Sequence, residues 1–197
     1  MEWNLPLLWE TASAARSARV GSSLFHGIEK GSRRALKYWA YIRELLKENN
    51  VGFQGRVQQG ATDVVNAMLN YGYAILYTRV WYAVLQAQLN PYDSIVHVRQ
   101  SGKPTFVFDV IELFRSQVVD RVVISLVQKK EPLSLSNGLL SDETKRLLMK
   151  NLTERLQKRE KYRGMEISLD DIIRRQASEI ANFFQDDVKY LPYKAKW

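Results

Sequence analysis

Residues 105–128, TFVFDVIELFRSQVVDRVVISLVQ, decide the fold class of this chain. The stretch is rich in β-branched residues, so residue preference alone would favour a β-strand. Its apolar residues instead recur as pairs about every four residues, at 106/107, 110/111, 113/114, 118/119, 122/123 and 126/127. The positions between them form a polar stripe, as on the opposite face of a helix: Thr105, Asp109, Glu112 and Ser116. Both the period and the length therefore predict a helix over 106–128.

The segments on either side also show helical spacing and little strand alternation. One of them, 62–89, is apolar nearly all the way round, which predicts a central, buried helix. Ser141 and the pair Ser168 and Asp171 have the spacing of helix N-terminal caps. Further helices are predicted over 11–20, 24–49, 142–162 and 169–185. We therefore expect an all-α fold, a single bundle of about five or six helices that occupies residues 21–197 after a short lead-in at 1–20.

The composition limits the classes of function. Lys and Arg total 29 against 21 for Asp and Glu, and the net charge of +8 favours a polyanionic partner such as nucleic acid. The chain has no cysteine, which excludes disulfides, thiolate metal sites and cysteine nucleophiles. No apolar run approaches the roughly 18–20 residues of a membrane span, and the acidic N-terminus does not look like a signal peptide. We expect a soluble protein in the cytoplasm.

Asp109 and Glu112 interrupt the apolar stretch three residues apart. In a helix they share one face, with Cβ atoms roughly 5–6 Å apart. Two carboxylates at that distance repel each other unless a cation lies between them, and a divalent metal is the usual one. In proteins generally such a pair usually lies on a solvated helix face. Here the flanking residues are strongly apolar, which favours a position at the edge of a cleft. His97, in the polar loop before this helix, is a candidate third ligand, although it could equally be an ordinary loop histidine.

Basic residues that lie near the candidate site residues in sequence or by helix face are candidates for contacts with nucleic-acid phosphates. Such contacts bind the backbone without reading bases, so the affinity should fall steeply with salt. Each candidate taken alone could equally be a plain surface charge. The candidates are Arg33, Arg34, Lys103 and Arg115.

Several segments resemble one known family. His97 and the following SGKPTFVFDVIELFR, preceded by NAMLNYGYAILY and LNPY, resemble the catalytic core of the CRISPR-associated spacer-acquisition integrase. That protein is the metal-dependent DNase subunit of the adaptation complex. GIEKGSRRALKYW, around Glu29, resembles the family's Gly-Ile-Glu-Gly element, and YRGMEISLDDIIRRQASEIANFF resembles the end of its helical domain. The resemblance covers roughly residues 20–197, in family order.

The resemblance implies a function and a set of site residues. Glu29, His97 and Asp109 match the family's metal-binding triad, Glu112 matches a further acidic position, and Tyr77 matches a tyrosine that faces the active site. Asp109 is expected to be a direct ligand, and Glu112 either to complete the metal's shell or to orient it. Glu29 could also be only a solubilising residue on a basic helix.

The implied protein is a metal-dependent DNA endonuclease and integrase. It captures and inserts spacer DNA in CRISPR adaptation by phosphodiester cleavage and 3′-OH strand transfer, with Mg²⁺ or Mn²⁺. Its implied partners are double-stranded DNA with branches or 3′ overhangs, the small ferredoxin-like adaptation subunit and, in the full-length protein, a second copy of itself as a homodimer.

The chain departs from the family at its N-terminus. Full-length relatives have a β-rich N-terminal domain, and nothing here has its pattern. We therefore expect an isolated catalytic domain, a short member or a module from a fusion. The alternative function is a non-catalytic helical module that binds DNA or a partner and keeps a vestigial acidic site. A purely structural bundle is a third interpretation, which requires that DNA does not bind even at low salt.

Overall fold

The computed structural model describes residues 31–93, 102–186 and 188–194, with side chains described from Ala35 onward. Its described part is mainly helical, with six α-helices and two small hairpins, which confirms the predicted all-α class. The predicted helix over 11–20, the lead-in and the start of the helix over 24–49 lie outside the described residues. The elements in chain order are α1 Gly31–Leu46 with a 3-10 turn at Lys47–Asn49, α2 Val64–Gln86, α3 Thr105–Ile111, a π-helical turn at Ser116–Asp120, α4 Arg121–Gln128, β1 Leu135–Ser136, β2 Leu139–Leu140, α5 Asp142–Gln157, β3 Arg159–Tyr162, β4 Met165–Ser168 and α6 Leu169–Asp186.

Helix α2 is the centre of the described fold, as its apolar sequence predicts. It packs against α3, the π-helical turn, α4, α5 and α6. Asp63 caps its N-terminus by accepting a hydrogen bond from the Asn66 amide at 2.8 Å. Gly72 lets the helix approach the π-helical turn closely, because an added Cβ would lie 2.6 Å from Cγ1 of Val119. Residues buried along α2 include Val65, Met68, Leu69, Leu76, Val80, Ala83 and Val84.

The stretch 106–128 is helical, as predicted, but it is divided. After α3 the chain makes a short turn and then a π-helical turn before α4 begins. In that turn the Arg121 amide donates to the carbonyl of Ser116, five residues earlier. Such widened turns are rare and concentrate at functional sites. The Gln117 carbonyl within it accepts from Nε of the buried Arg155 at 2.8 Å, so the turn is held from α5.

The helix predicted over 142–162 is wrong at its C-terminal end. Helix α5 stops at Gln157, and the next residues form the antiparallel hairpin β3–β4, with Tyr162 paired to Met165. Arg163 and Gly164 both have positive φ, at 49° and 82°, which is the backbone of a two-residue hairpin turn. A helix cannot continue through that conformation. Glycine adopts it without strain.

Both predicted caps are present. Ser141 Oγ accepts from the Thr144 amide at 3.2 Å, and Ser168 Oγ accepts from the Asp171 amide at 3.1 Å. Each satisfies an amide that the first turn of the helix leaves without a partner. None of the described helices has the length and apolar character that crossing a membrane requires.

Candidate functional site

The two acidic residues lie at the end of helix α3, in different environments. Asp109 is in its last turn and only 3% exposed. Glu112 directly follows the helix, keeps helical backbone angles (φ −57°, ψ −30°) and has a side chain 40% exposed. The pair is thus one helical turn apart, as predicted. The structure separates them into a buried acid and an acid that faces solvent.

Arg115 is the described partner of Glu112. Its Nη1 lies 2.5 Å from Oε1 of Glu112, and its side chain is 31% exposed. The guanidinium also lies over the ring of Tyr73, with Cζ 5.0 Å from the ring centroid. Among the described residues, no hydrogen-bond partner reaches its buried Nε. Arg115 is therefore held by an acid on one side and an aromatic face on the other.

A second buried carboxylate, Asp120, lies behind Tyr73. Asp120 is 3% exposed, and its two oxygens accept separate hydrogen bonds, from Tyr73 Oη at 2.5 Å and from Tyr38 Oη at 2.9 Å. Burial raises its pKa to about 6, against the opposing effects of the tyrosine hydrogen bonds and the charges of Arg115 and Arg56. Burial and Asp120 also raise the pKa of both tyrosines, so both stay protonated donors.

Arg56, in the loop before α2, completes this cluster. Its Cζ lies 5.2 Å from the Tyr73 centroid, and its guanidinium donates to Asn66 Oδ1 at 3.1 Å and Asn70 Oδ1 at 2.6 Å. The loop is thus fastened to the N-terminal half of α2. Two cations therefore contact the ring of one tyrosine, whose hydroxyl is bonded to an acid. We call Tyr38, Arg56, Tyr73, Arg115 and Asp120 the Asp120 cluster.

Tyr77, one turn further along α2, lies beside helix α3. Its ring centroid is 5.6 Å from that of Phe108, the residue before Asp109, and 5.9 Å from that of Trp81. Trp81 in turn meets Tyr92 edge-on at 6.1 Å. Burial is the main cause of the raised pKa of Tyr77, and Tyr92 adds to it. Along the chain, Tyr92 lies five residues before His97.

Comparison with known proteins shows the family. The family model described as "CRISPR associated protein Cas1" matches residues 11–154. The chain belongs to the Cas1 family.

Curated relatives agree with this assignment. The chain is 38% identical over 183 residues to CRISPR-associated endonuclease Cas1 1 of Archaeoglobus fulgidus, which covers 87% of this chain and 52% of the relative. It is 32% identical over 159 residues to the Cas1 1 endonuclease of Francisella tularensis subsp. novicida, covering 80% and 49%. The chain thus spans about half the length of these curated relatives.

Solved structures share the fold. A casposase bound to its integration product has a TM-score of 0.72 at 26% identity, and the match covers 80% of this chain and 47% of that one. A Cas1 protein from Thermotoga maritima has a TM-score of 0.71 at 23% identity, covering 79% and 50%. A Cas6-RT-Cas1–Cas2 complex contains a chain with a TM-score of 0.71 at 21% identity, covering 89% of this chain and 20% of that one. At 21% and 23% identity the last two show the fold alone.

Some of the residues that the Cas1 resemblance selects lie outside the described part. Glu29 and His97 belong to segments that the structure does not describe, and the side chains of Arg33 and Arg34 are likewise outside it. Lys103 is exposed in the turn before α3. In the described ranges, no group of three or more His, Asp or Glu residues could hold a metal. Asp109 and Glu112 offer hard oxygen donors, which fit Mg²⁺ or Mn²⁺.

The Asp120 cluster is the part of the candidate site that sequence reasoning missed. Asp120 interrupts the same apolar run as Asp109, in VVDRVV, and the same argument about a carboxylate among apolar residues would have selected it. Its tyrosine partners come from α1 and α2, 82 and 47 residues away along the chain. No spacing rule could have predicted those pairs.

Proposed function

We propose that this Cas1-family chain is the catalytic region of a metal-dependent DNA endonuclease and integrase. It would capture spacer DNA and insert it during CRISPR adaptation, by phosphodiester cleavage and 3′-OH strand transfer. The observation that carries the proposal is the pair Asp109 and Glu112, one turn apart at the end of α3, in a chain that belongs to this family.

The proposed ligands of the metal are Glu29, His97, Asp109 and Glu112. A bound Mg²⁺ or Mn²⁺ would neutralise charge on the scissile phosphate and activate an oxygen nucleophile. The ion pair with Arg115 restricts where the carboxylate of Glu112 can lie. Tyr77 would contribute an aromatic wall beside Asp109, since its ring packs on Phe108.

The proposed substrate is double-stranded DNA with branches or 3′ overhangs. The net charge of +8 supports a polyanionic ligand. Lys103, which is exposed next to α3, is the best described candidate for a phosphate contact, and Arg33 and Arg34 on α1 are further candidates. Arg115 would contact phosphate only by sharing its guanidinium with Glu112, because that ion pair already uses Nη1.

The proposed partners are the small ferredoxin-like adaptation subunit and, in the full-length protein, a second copy of the chain. The fold similarity to a chain of a complex that contains Cas1 and Cas2, and to a casposase bound to its integration product, supports partners of these kinds. The proposed location is the cytoplasm.

Nicking and strand transfer on branched and 3′-overhang DNA test the proposal. With Mn²⁺ or Mg²⁺ we expect activity that His97→Ala and Asp109→Ala each abolish without unfolding the protein, which circular dichroism checks. Asp186→Ala, which removes an exposed acid at the end of α6, is the matched control and should leave activity unchanged. Full activity in both His97→Ala and Asp109→Ala would refute the assigned site.

A second candidate function is a non-catalytic helical module that binds DNA or a partner. It is favoured by one observation: the net charge of +8 attracts a polyanion whether or not the chain is catalytic. Such a module would bind DNA in a salt-sensitive way, indifferent to metal and to Asp109→Ala. Thermal stabilisation by Mn²⁺ that disappears in Asp109→Ala would favour the enzyme, because a ligand stabilises only a state that binds it.

A further inference from the structure

The exposed carboxylate of Glu112 is connected to a buried one by a short chain of contacts. Glu112 pairs with Arg115, whose guanidinium covers the ring of Tyr73. The hydroxyl of Tyr73 donates to Asp120 at 2.5 Å. The guanidinium of Arg115 contacts both the Tyr73 ring and Glu112, so the position of Tyr73 restricts where Arg115 and the Glu112 carboxylate can lie.

The π-helical turn makes this connection possible. In an α-helix two residues five apart point about 140° away from each other, because each residue advances by about 100°. In the turn Ser116–Asp120 the hydrogen bonds close over five residues, so residues five apart return to nearly the same side. Arg115 and Asp120 are five apart, and both contact Tyr73, one at its ring and the other at its hydroxyl.

Charge reinforces the geometry. A phenol that donates to a carboxylate is polarised, which makes its ring face more attractive to cations. Arg56 and Arg115 both lie about 5 Å from the ring centroid of Tyr73. Asp120 supplies negative charge to both of them across that ring. Without Asp120 the repulsion between the two guanidiniums would no longer be offset across the ring, and Arg115 would be held less firmly over Tyr73.

We propose that Asp120 is a positioning residue of the metal site: through Tyr73 and Arg115 it sets where the Glu112 carboxylate stands. The inference rests on the proposed function, in which Glu112 is a metal ligand. Groups that orient ligating carboxylates change metal affinity by about 10-fold to 100-fold when they are removed. We expect the loss of the contact between Asp120 and Tyr73 to weaken metal binding by a similar factor.

The test is a Mn²⁺ titration of the 197-residue chain, followed by electron paramagnetic resonance of free Mn²⁺ and by the shift in melting temperature. Tyr73→Phe keeps the ring but removes its hydrogen bond to Asp120, and it should raise the midpoint Mn²⁺ concentration about tenfold. Asp120→Asn keeps the shape of the side chain and removes its charge, and it should also raise the midpoint Mn²⁺ concentration. In Glu112→Gln, adding Tyr73→Phe should raise the midpoint no further.

Tyr190→Phe is the matched control. Tyr190 is a buried tyrosine, whereas Tyr73 is half-buried, and the hydroxyl of Tyr190 donates to Gln176 Oε1 of α6 at 2.8 Å. Its loss should lower the melting temperature and leave the Mn²⁺ midpoint unchanged. A merely structural role for Tyr73 would give that same result, so the midpoint distinguishes positioning from stability.

The outcomes separate the inference from the proposed function. A raised midpoint in Glu112→Gln, with a parental midpoint in both Tyr73→Phe and Asp120→Asn, would overturn the positioning role and leave the metal site standing. An additional shift in the double variant would overturn it too, because Tyr73 would then act by a route other than Glu112. A parental midpoint in Glu112→Gln would overturn Glu112 as a ligand, and the inference with it.

Discussion

Two clusters of buried and half-buried tyrosines differ in the side chain at their centre. The Asp120 cluster is built on a carboxylate that faces two guanidiniums. The Gln176 cluster (Glu160, Tyr162, Gln176, Glu179, Tyr190 and Tyr193) is built on a neutral amide of α6. In it Gln176 Oε1 accepts from Tyr190 Oη and from the Tyr193 amide, while Nε2 donates to Tyr162 Oη and Glu179.

The Gln176 cluster holds neighbouring segments together, whereas the Asp120 cluster can influence a residue outside it. The Gln176 amide satisfies both of its polar ends locally and ties residues 188–194 to α6 and the β3–β4 hairpin. The acids around it are each paired with an arginine, Glu160 with Arg155 and Glu179 with Arg163. In the Asp120 cluster the charges extend outward through Arg115 to the exposed Glu112. A buried charge influences its neighbours over a longer range than a neutral amide does.

Asp120→Ala should have the largest effect on this comparison. It leaves the hydroxyls of two half-buried tyrosines without an acceptor, removes the negative charge that faces Arg56, and leaves Arg115 with Glu112 alone as its acidic partner. We expect the free energy of unfolding, measured by urea denaturation, to fall by about 3 to 5 kcal/mol. The exposed Asp186→Ala should change it by no more than about 0.5 kcal/mol. A fall below about 1 kcal/mol in Asp120→Ala would show that the cluster contributes little to stability.

Gln176→Ala should have the next largest effect. The Tyr190 hydroxyl and the Tyr193 amide lose their acceptor, and Glu179 loses one donor but keeps its ion pair with Arg163. We expect a loss of about 2 to 3 kcal/mol in the same measurement. Gln86→Ala, at an exposed position at the end of α2, is the control and should be nearly neutral. If Gln176→Ala costs more than Asp120→Ala, the neutral centre matters more than the charged one.

Removing a single hydroxyl from each cluster sharpens the contrast. Tyr73→Phe loses a hydrogen bond to a carboxylate, which should cost about 2 kcal/mol, whereas Tyr190→Phe loses one to a neutral amide and should cost about 1 kcal/mol. Thermal or urea unfolding of the two variants measures both. Equal costs would argue against an ionised Asp120 at neutral pH.

The pH dependence of stability should distinguish the clusters by a smaller amount. The pKa of Asp120 in the folded protein is raised to about 6, above its ordinary value of 3.8. The stability that its protonated form contributes is therefore complete below about pH 4 and is lost as the pH rises through about 6. The groups that face it are Tyr38, Tyr73, Arg56 and Arg115, and the pKa of each tyrosine is raised further above this range by burial and by Asp120.

Asp120→Asn isolates that contribution. The difference in unfolding free energy, parent minus variant, should fall between pH 4 and about 6.5, by at most about 1.4 kcal/mol per pH unit, and then level off. Unfolding curves collected across this range measure it. Tyr190→Phe, in the other cluster, should show a constant difference from the parent. A difference that grows with pH for Asp120→Asn would reverse the assigned sign.

Much of the fold could be predicted from local patterns. The apolar spacing of 62–89 and 106–128 predicts helices because a helix brings every third or fourth residue to one side. The caps at Ser141 and Ser168 were predicted for a similar reason, since they act within one turn. The π-helical turn was not predicted, because its sequence, SQVVD, continues the helical spacing and its stability depends on Arg155 from α5. The end of α5 was misplaced because no apolar break marks the start of the β3 strand.

The candidate site, like the fold, could be predicted from the sequence only in part. The spacing of Asp109 and Glu112 predicted two acids one turn apart, which the described structure has. Their unequal exposure, and the Asp120 cluster behind them, could not be predicted from spacing. Those features depend on where α1 and α2 pack, and the residues concerned are far apart along the chain.

The amino-acid sequence by itself determined that this chain is helical, that α2 is buried, that the family is the one now shown, and that an acidic pair stands at the end of α3. These properties follow from short-range periodicity and from ordered motifs that a single segment can carry. Tertiary structure alone decided which acid faces solvent, which arginine pairs with it and which tyrosines hold Asp120. Those outcomes depend on the burial and distance of groups brought together by packing, because desolvation and Coulomb interactions act through space and not along the chain.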